Sequence, residues 1–103
     1  MSYDLHIIRT DDWTTAAENP ISFDEWTNHA RAAPTLVEAG VISLGDTEPS
    51  EQPVFVLAHG TSLHWWRGEI VATLADESDV AGLLPIAVAL NARVQGDDGE
   101  FYE

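Results

Sequence analysis

Two stretches of this chain concentrate side chains that can do chemistry. One is the acidic turn Asp97-Asp98 in VQGDDGEFYE, with Glu100 just beyond it, and the other is the histidine pair His59 and His64 in HGTSLH. Adjacent aspartates between glycines look superficially like part of a calcium loop. Such a loop, however, places its oxygen ligands at alternating positions with a glycine at the sixth and a bidentate Glu at the twelfth. The spacing here fits a hairpin or bulge better, with glycine supplying positive φ and aspartate bonding to nearby backbone. His59 and His64 flank a turn and are the best nucleus for a metal, but no third or fourth ligand follows at a zinc spacing, so no metal and no cofactor is expected. Nucleophilic chemistry has little to work with: there is no cysteine, no G-x-S-x-G elbow and no phosphate-binding loop of either glycine-rich pattern. The reading is of a protein that is not an enzyme.

Charge points elsewhere. Eighteen Asp and Glu stand against four Arg and no Lys, a net charge of −14 over 103 residues. A magnitude of about 2 to 8 keeps a small domain in solution, so solubility alone does not require this excess. The field repels phosphate backbones and anionic lipid heads, which sets nucleic acid and membrane surfaces aside, and it hastens encounter with basic partners. The residues expected to meet a partner are Asp11, Asp12, Trp13, Asp46, Glu48, Glu51, Trp66, Asp97, Asp98 and Glu100. The bland alternative is an acidity that merely reflects the host proteome.

These residues need elements to position them. Tyr3 to Thr10 reads as a strand, with Tyr3, Leu5 and Ile7 on one face and Asp4, His6 and Ile8 on the other. Ser22 and Glu25 form a capping box, stapled by Ile21, for a helix over 23–32 that ends before Pro34 and buries Phe23, Trp26, Ala30 and Ala33. VISL at 41–44 is a strand, and GDTEPSEQP after it an exposed acidic loop. Residues 54–75 read as an antiparallel meander with turns at HGTS and at Arg67-Gly68. Asp76 or Ser78 caps an uncharged helix that carries Gly82 and Pro85 and closes at Asn91, and short strands RVQ and EFYE flank the last turn. Trp65 and Trp66 must point to opposite faces of their strand. Trp13 is either a clasp over a sheet edge or an aromatic contact ringed by charge.

The expected architecture is one α+β domain over 1–103, an antiparallel sheet of five to six strands with two helices packed mainly on one face. The absence of cysteine, of a basic leader and of any long apolar run fits a cytoplasmic chain.

The segments YDLHIIRTDDW, PISFDEW and ARVQGDDGEFYE together resemble an uncharacterised family of small acidic bacterial proteins, of the YDLHITR…VQGDDGE type. More loosely, size, acidity and fold resemble the immunity proteins and antitoxins that neutralise bacterial toxins. That likeness implies a binder more than an enzyme, and with the charge excess it leads to an inhibitor of a basic protein such as a toxin domain or a nuclease. The reading from a different class is a small structural or oligomer-forming protein whose acidity reflects its host. No functional residue is carried over from it.

Overall fold

In the computed structural model, which describes residues 3–44 and 50–102, the chain forms one antiparallel sheet of seven strands. They are β1 (Tyr3–Ile8), β2 (Val37–Leu44), β3 (Ser50–Val56), β4 (Ser62–Trp66), β5 (Glu69–Leu74), β6 (Arg93–Gly96) and β7 (Phe101–Tyr102), in the order β2-β3-β4-β5-β1-β6-β7. The sequence leads one to expect five or six. Strands β2 and β3 also start earlier than expected, at Val37 and Ser50, so pairing such as Ser43 with Glu51 and Ile42 with Gln52 includes residues that read as an acidic loop. Asp46 and Glu48 lie outside the described residues.

Helices α1 (Phe23–Ala32) and α2 (Val80–Ala89) build the core face. Ser22 and Glu25 close the capping box on α1 reciprocally, as their spacing predicts. Trp26 and Ala30 are buried from α1, and Trp26 meets Phe55 of β3 edge-on at 5.6 Å. In α2 the buried residues Leu83, Ile86, Ala87 and Leu90 follow i, i+3, i+4, i+7, while Pro85 faces outward. Asn91 takes the left-handed conformation (φ 54), and the Ala92 amide reaches back to the Ala87 carbonyl at 2.8 Å. From the sheet come Leu5, Ile7, Phe55, Leu63, Ile70, Ala72 and Val94. Arg9 ties β1 to this layer, with Nη2 2.5 Å from Glu25 and Nε donating to the Leu90 carbonyl at 2.9 Å, and it holds the Glu25 carboxyl down to about 2. Among the described residues no helix is long and apolar enough to cross a membrane.

Two joints matter for the site. Between β3 and β4 the backbone pairing stops at Phe55–Leu63, and the Gln52 side-chain amide takes over, accepting from the Trp65 amide at 2.8 Å and donating to its carbonyl at 2.6 Å. A side chain thus completes the ladder. On the opposite face a 3-10 segment, Trp13–Glu18, lies where only a polar connection is expected from the sequence. Ile8 and Ala16 are buried outside the main core. Gly68 packs against Pro20, just after the 3-10 segment. Its carbonyl accepts from Ile21 at 2.8 Å, its φ is +90°, and an added Cβ would sit 2.6 Å from the Pro20 Cβ. Gly68→Ala is therefore expected to lower stability by more than about 2 kcal/mol in urea unfolding, through left-handed strain and overpacking together. A loss below about 0.5 kcal/mol would show that the Pro20 contact yields freely.

Candidate functional site

The second face of the sheet carries the polar members of each alternation: Asp4 and His6 on β1, His64 and Trp66 on β4, Glu69 and Val71 on β5, and Gln95 on β6. Register brings them together, since His6 stands opposite both Val71 and Gln95, His64 opposite Val71, and Trp66 opposite Glu69. Over them folds the 3-10 segment. Its N-cap is Asp12, whose Oδ1 accepts from the Thr14 amide at 2.9 Å and from the Thr14 hydroxyl at 2.8 Å; these bonds lower the Asp12 pKa. Gln95, almost wholly buried, accepts from the Trp13 amide at 2.7 Å and donates to the Gly99 carbonyl at 2.9 Å. One amide therefore sets the position of Trp13 and of the Asp97-Asp98 turn at once.

Trp13 stacks on His6 with centroids 4.5 Å apart and planes 6° from parallel, its Nε1 donating to the Asp97 carbonyl at 3.4 Å. The imidazole beneath is itself held at both nitrogens: Nδ1 meets a carboxylate oxygen of Glu69, and Nε2 lies 2.7 Å from Asp97 Oδ1. A neutral imidazole has one N–H, so both nitrogens donate to ionised carboxylates only when the ring is doubly protonated. Burial of His6 pulls its pKa down, but the hydrogen bonds and charges of Glu69 and Asp97 outweigh it, and the net shift is upward. His64, on the same face, goes the other way: burial lowers it, opposed only by the charges of Asp4 and Glu69 at longer range. The two histidines of this face therefore shift in opposite directions, His6 upward and His64 downward.

Around this cluster opens a cleft of about 460 Å³, lined among others by Asp4, Trp13, Trp66, Arg67, Glu69 and Asp97. Three of the residues expected to bind a partner, Trp13, Trp66 and Asp97, meet here. The others are placed elsewhere. Asp11 and Asp12 line a separate depression with Arg9 and Glu18; Asp98 is exposed on the turn; Glu100 accepts from the Tyr3 hydroxyl at 2.9 Å; and Glu51 is exposed on β3 beside the β2 edge. Sequence reasoning missed His6, Glu69, Asp4 and Arg67 as members of the site. Alternation already put Asp4 and His6 on one face, but nothing local joins positions 6, 69 and 97.

His59 and His64 do not pair. His59 Nδ1 lies 3.1 Å from Asp79 Oδ1 and 3.3 Å from Ser78 Oγ. Serine, histidine and aspartate invite comparison with a catalytic relay, but a relay engages the two ring nitrogens separately, and here both contacts fall on Nδ1. Asp79 instead clamps the turn, accepting from the Thr61 amide at 3.2 Å. Among the described residues no group of three or more His, Cys, Asp or Glu is arranged to hold a metal ion.

A comparison with family models, curated proteins and solved structures finds no match to this chain.

The His6 cluster carries a pH signature. Its folded pKa is raised, so its contribution to stability is complete below the unfolded value of about 6.5 and is lost as pH rises through the folded one. The stability difference between wild type and His6→Gln, measured by chemical denaturation, is expected to shrink between about pH 6 and about pH 9. A difference that stays flat across that range would mean that the ring is not held as a cation.

Proposed function

We propose that this chain is an inhibitory binding protein of the immunity or antitoxin kind, docking a basic bacterial protein such as a toxin domain against the second face of its sheet. The observation that carries the reading is the meeting of Trp13, Trp66 and Asp97 in one cleft with Asp4, Glu69 and His6, on a chain of net charge −14. Complementary charge supplies encounter rate and partner choice, while half-buried aromatics supply most of the affinity. If the partner is a nuclease, the carboxylates take positions meant for phosphates. The proposal includes no catalytic step.

A second reading, self-association, is favoured by a different surface. Val37 and Val41 are about two-thirds exposed on the outer strand β2, whose one carboxylate, Glu38, is paired with Arg31 at 3.4 Å. Two copies of an acidic chain repel least there. Sedimentation at low and high salt separates the readings: a dimer that tightens with salt supports this one, and a monomer at all salts removes it.

The primary reading is tested in cells and in solution. Expressing the reading frame next to this chain's gene is expected to arrest growth, and co-expression of the wild-type chain to relieve the arrest. Trp66→Ala combined with Asp97→Asn should lose that relief. For the purified pair, the association rate is expected to fall at least tenfold between roughly 10 mM and roughly 150 mM salt, as the screening length contracts from about 30 to about 8 Å. A harmless neighbour, or a rate indifferent to salt, counts against docking by charge.

A further inference from the structure

Arg67 stands where turn chemistry disfavours it. With Gly68 it forms the two-residue link from β4 to β5, and both residues have positive φ, 48° and 90°. A hairpin turn of that kind favours Asn, Asp or Gly at its first position. An arginine there gains nothing from the backbone, and its side chain shows what it does gain: the guanidinium lies over the Trp66 ring, 4.7 Å from the centroid, at the wall of the acidic cleft. The chain already keeps one guanidinium on the aromatic surface of that cleft.

The groups around it suit the same chemistry. Asp4 is half-buried and makes no salt bridge among the described residues. Asp97 gives one oxygen to His6 while its side chain is 43% exposed. Asp4, Glu69 and Asp97 stand in the cleft with Arg67 as its one guanidinium, and His6 lies between two of these carboxylates. Exchange of Arg67 for another arginine leaves the charge of the cleft unchanged, and Arg67, exposed at the hairpin tip, has solvent to move into.

We propose that the cleft is an arginine-reading site, in which an arginine side chain of the basic partner takes the place of Arg67 over Trp66, in a cleft whose lining also carries the Asp4, Glu69 and Asp97 carboxylates. Arg67 is the internal place-holder. This inference rests on the reading that the second face docks a basic protein, and adds to it the identity of the anchor. Arginine is favoured over lysine because a planar, weakly hydrated guanidinium stacks on an indole and forks to carboxylates, whereas an ammonium is a compact, strongly hydrated point charge.

The test uses two peptides of alternating glycine with either arginine or lysine, titrated at low salt and followed by tryptophan fluorescence and calorimetry. Wild type is expected to bind the arginine peptide roughly tenfold tighter than the lysine peptide, a margin of the order of one cation–π contact. Arg67→Gly, which suits the turn and should fold at least as well, adds negative charge that favours both peptides alike. The readout is therefore the ratio. It is expected to widen roughly threefold or more in Arg67→Gly and to collapse towards one when Trp66→Leu is added, since the stacking surface is then gone. Equal, salt-sensitive binding of both peptides, or a ratio unmoved by Arg67→Gly, overturns the place-holder and leaves the docking reading intact. Absence of saturable binding of either peptide at low salt overturns both.

Discussion

The buried contact of one imidazole with two carboxylates is the constraint on which the second face depends. His6 comes from β1, Glu69 from the start of β5 and Asp97 from the turn after β6, and each is needed for the others to be tolerated. Glu69 is buried on a sheet face, a position that is costly for a carboxylate without a charged partner. His6, its pKa raised by the two carboxylates, is that partner, and Trp13 stacks on its ring. The 3-10 segment is thereby anchored above the sheet, and the space beside it becomes the cleft.

Cations are scarce in this chain, and each is committed. Arg9 bridges β1 to α1 and to the end of α2, Arg31 meets Glu38, Arg67 covers Trp66, and Arg93 lies 3.7 Å over the Phe101 ring. Positive charge is thus spent on carboxylates, on a backbone carbonyl or flat against aromatic rings. The outward field is consequently negative almost by default, whatever its origin in the host. What distinguishes the cleft is therefore not its sign, which most of the surface shares. It is the coincidence of that sign with two indoles.

How far this could be read from the sequence depends on the range of each interaction. The Ser22–Glu25 cap, the Trp26 stripe, the Asn91 terminus, the Arg67-Gly68 turn and the opposed faces of Trp65 and Trp66 are set by residues within a few positions of one another, and the α+β sheet with its two helices follows from them. Trp65 does enter the core side, its Nε1 donating to the Ile21 carbonyl at 2.8 Å. The early part of β3 was hidden because Ser50-Glu51-Gln52-Pro53 has turn-forming composition, and the bond that justifies a strand there runs from Gln52 to Trp65. The 3-10 segment was hidden for a similar reason, being held by Gln95 some 82 positions away. Of the site, the aromatic and acidic members at 13, 66 and 97 were legible by type. Their assembly was not, because it is a product of strand register.

The carboxylates expected to form a docking surface are also not equivalent, and their hydrogen bonds show why. Asp12 is occupied as a helix cap, Glu100 by the Tyr3 hydroxyl and Asp97 in part by His6, whereas Asp11, Glu51 and Asp98 stand exposed. A carboxylate that already accepts fixed hydrogen bonds contributes its charge at a distance but has fewer lone pairs for a newcomer, so it steers more than it holds. Exposed single carboxylates steer as well, and they are too mobile and too hydrated to anchor. Anchoring needs a group that is partly desolvated, fixed in place and still able to accept, and on this face Asp4 and the outer oxygen of Asp97 come nearest to that description beside the indoles. In the proposed docking the division of labour follows from solvation: exposed acids steer, and the half-buried carboxylates of the cleft anchor.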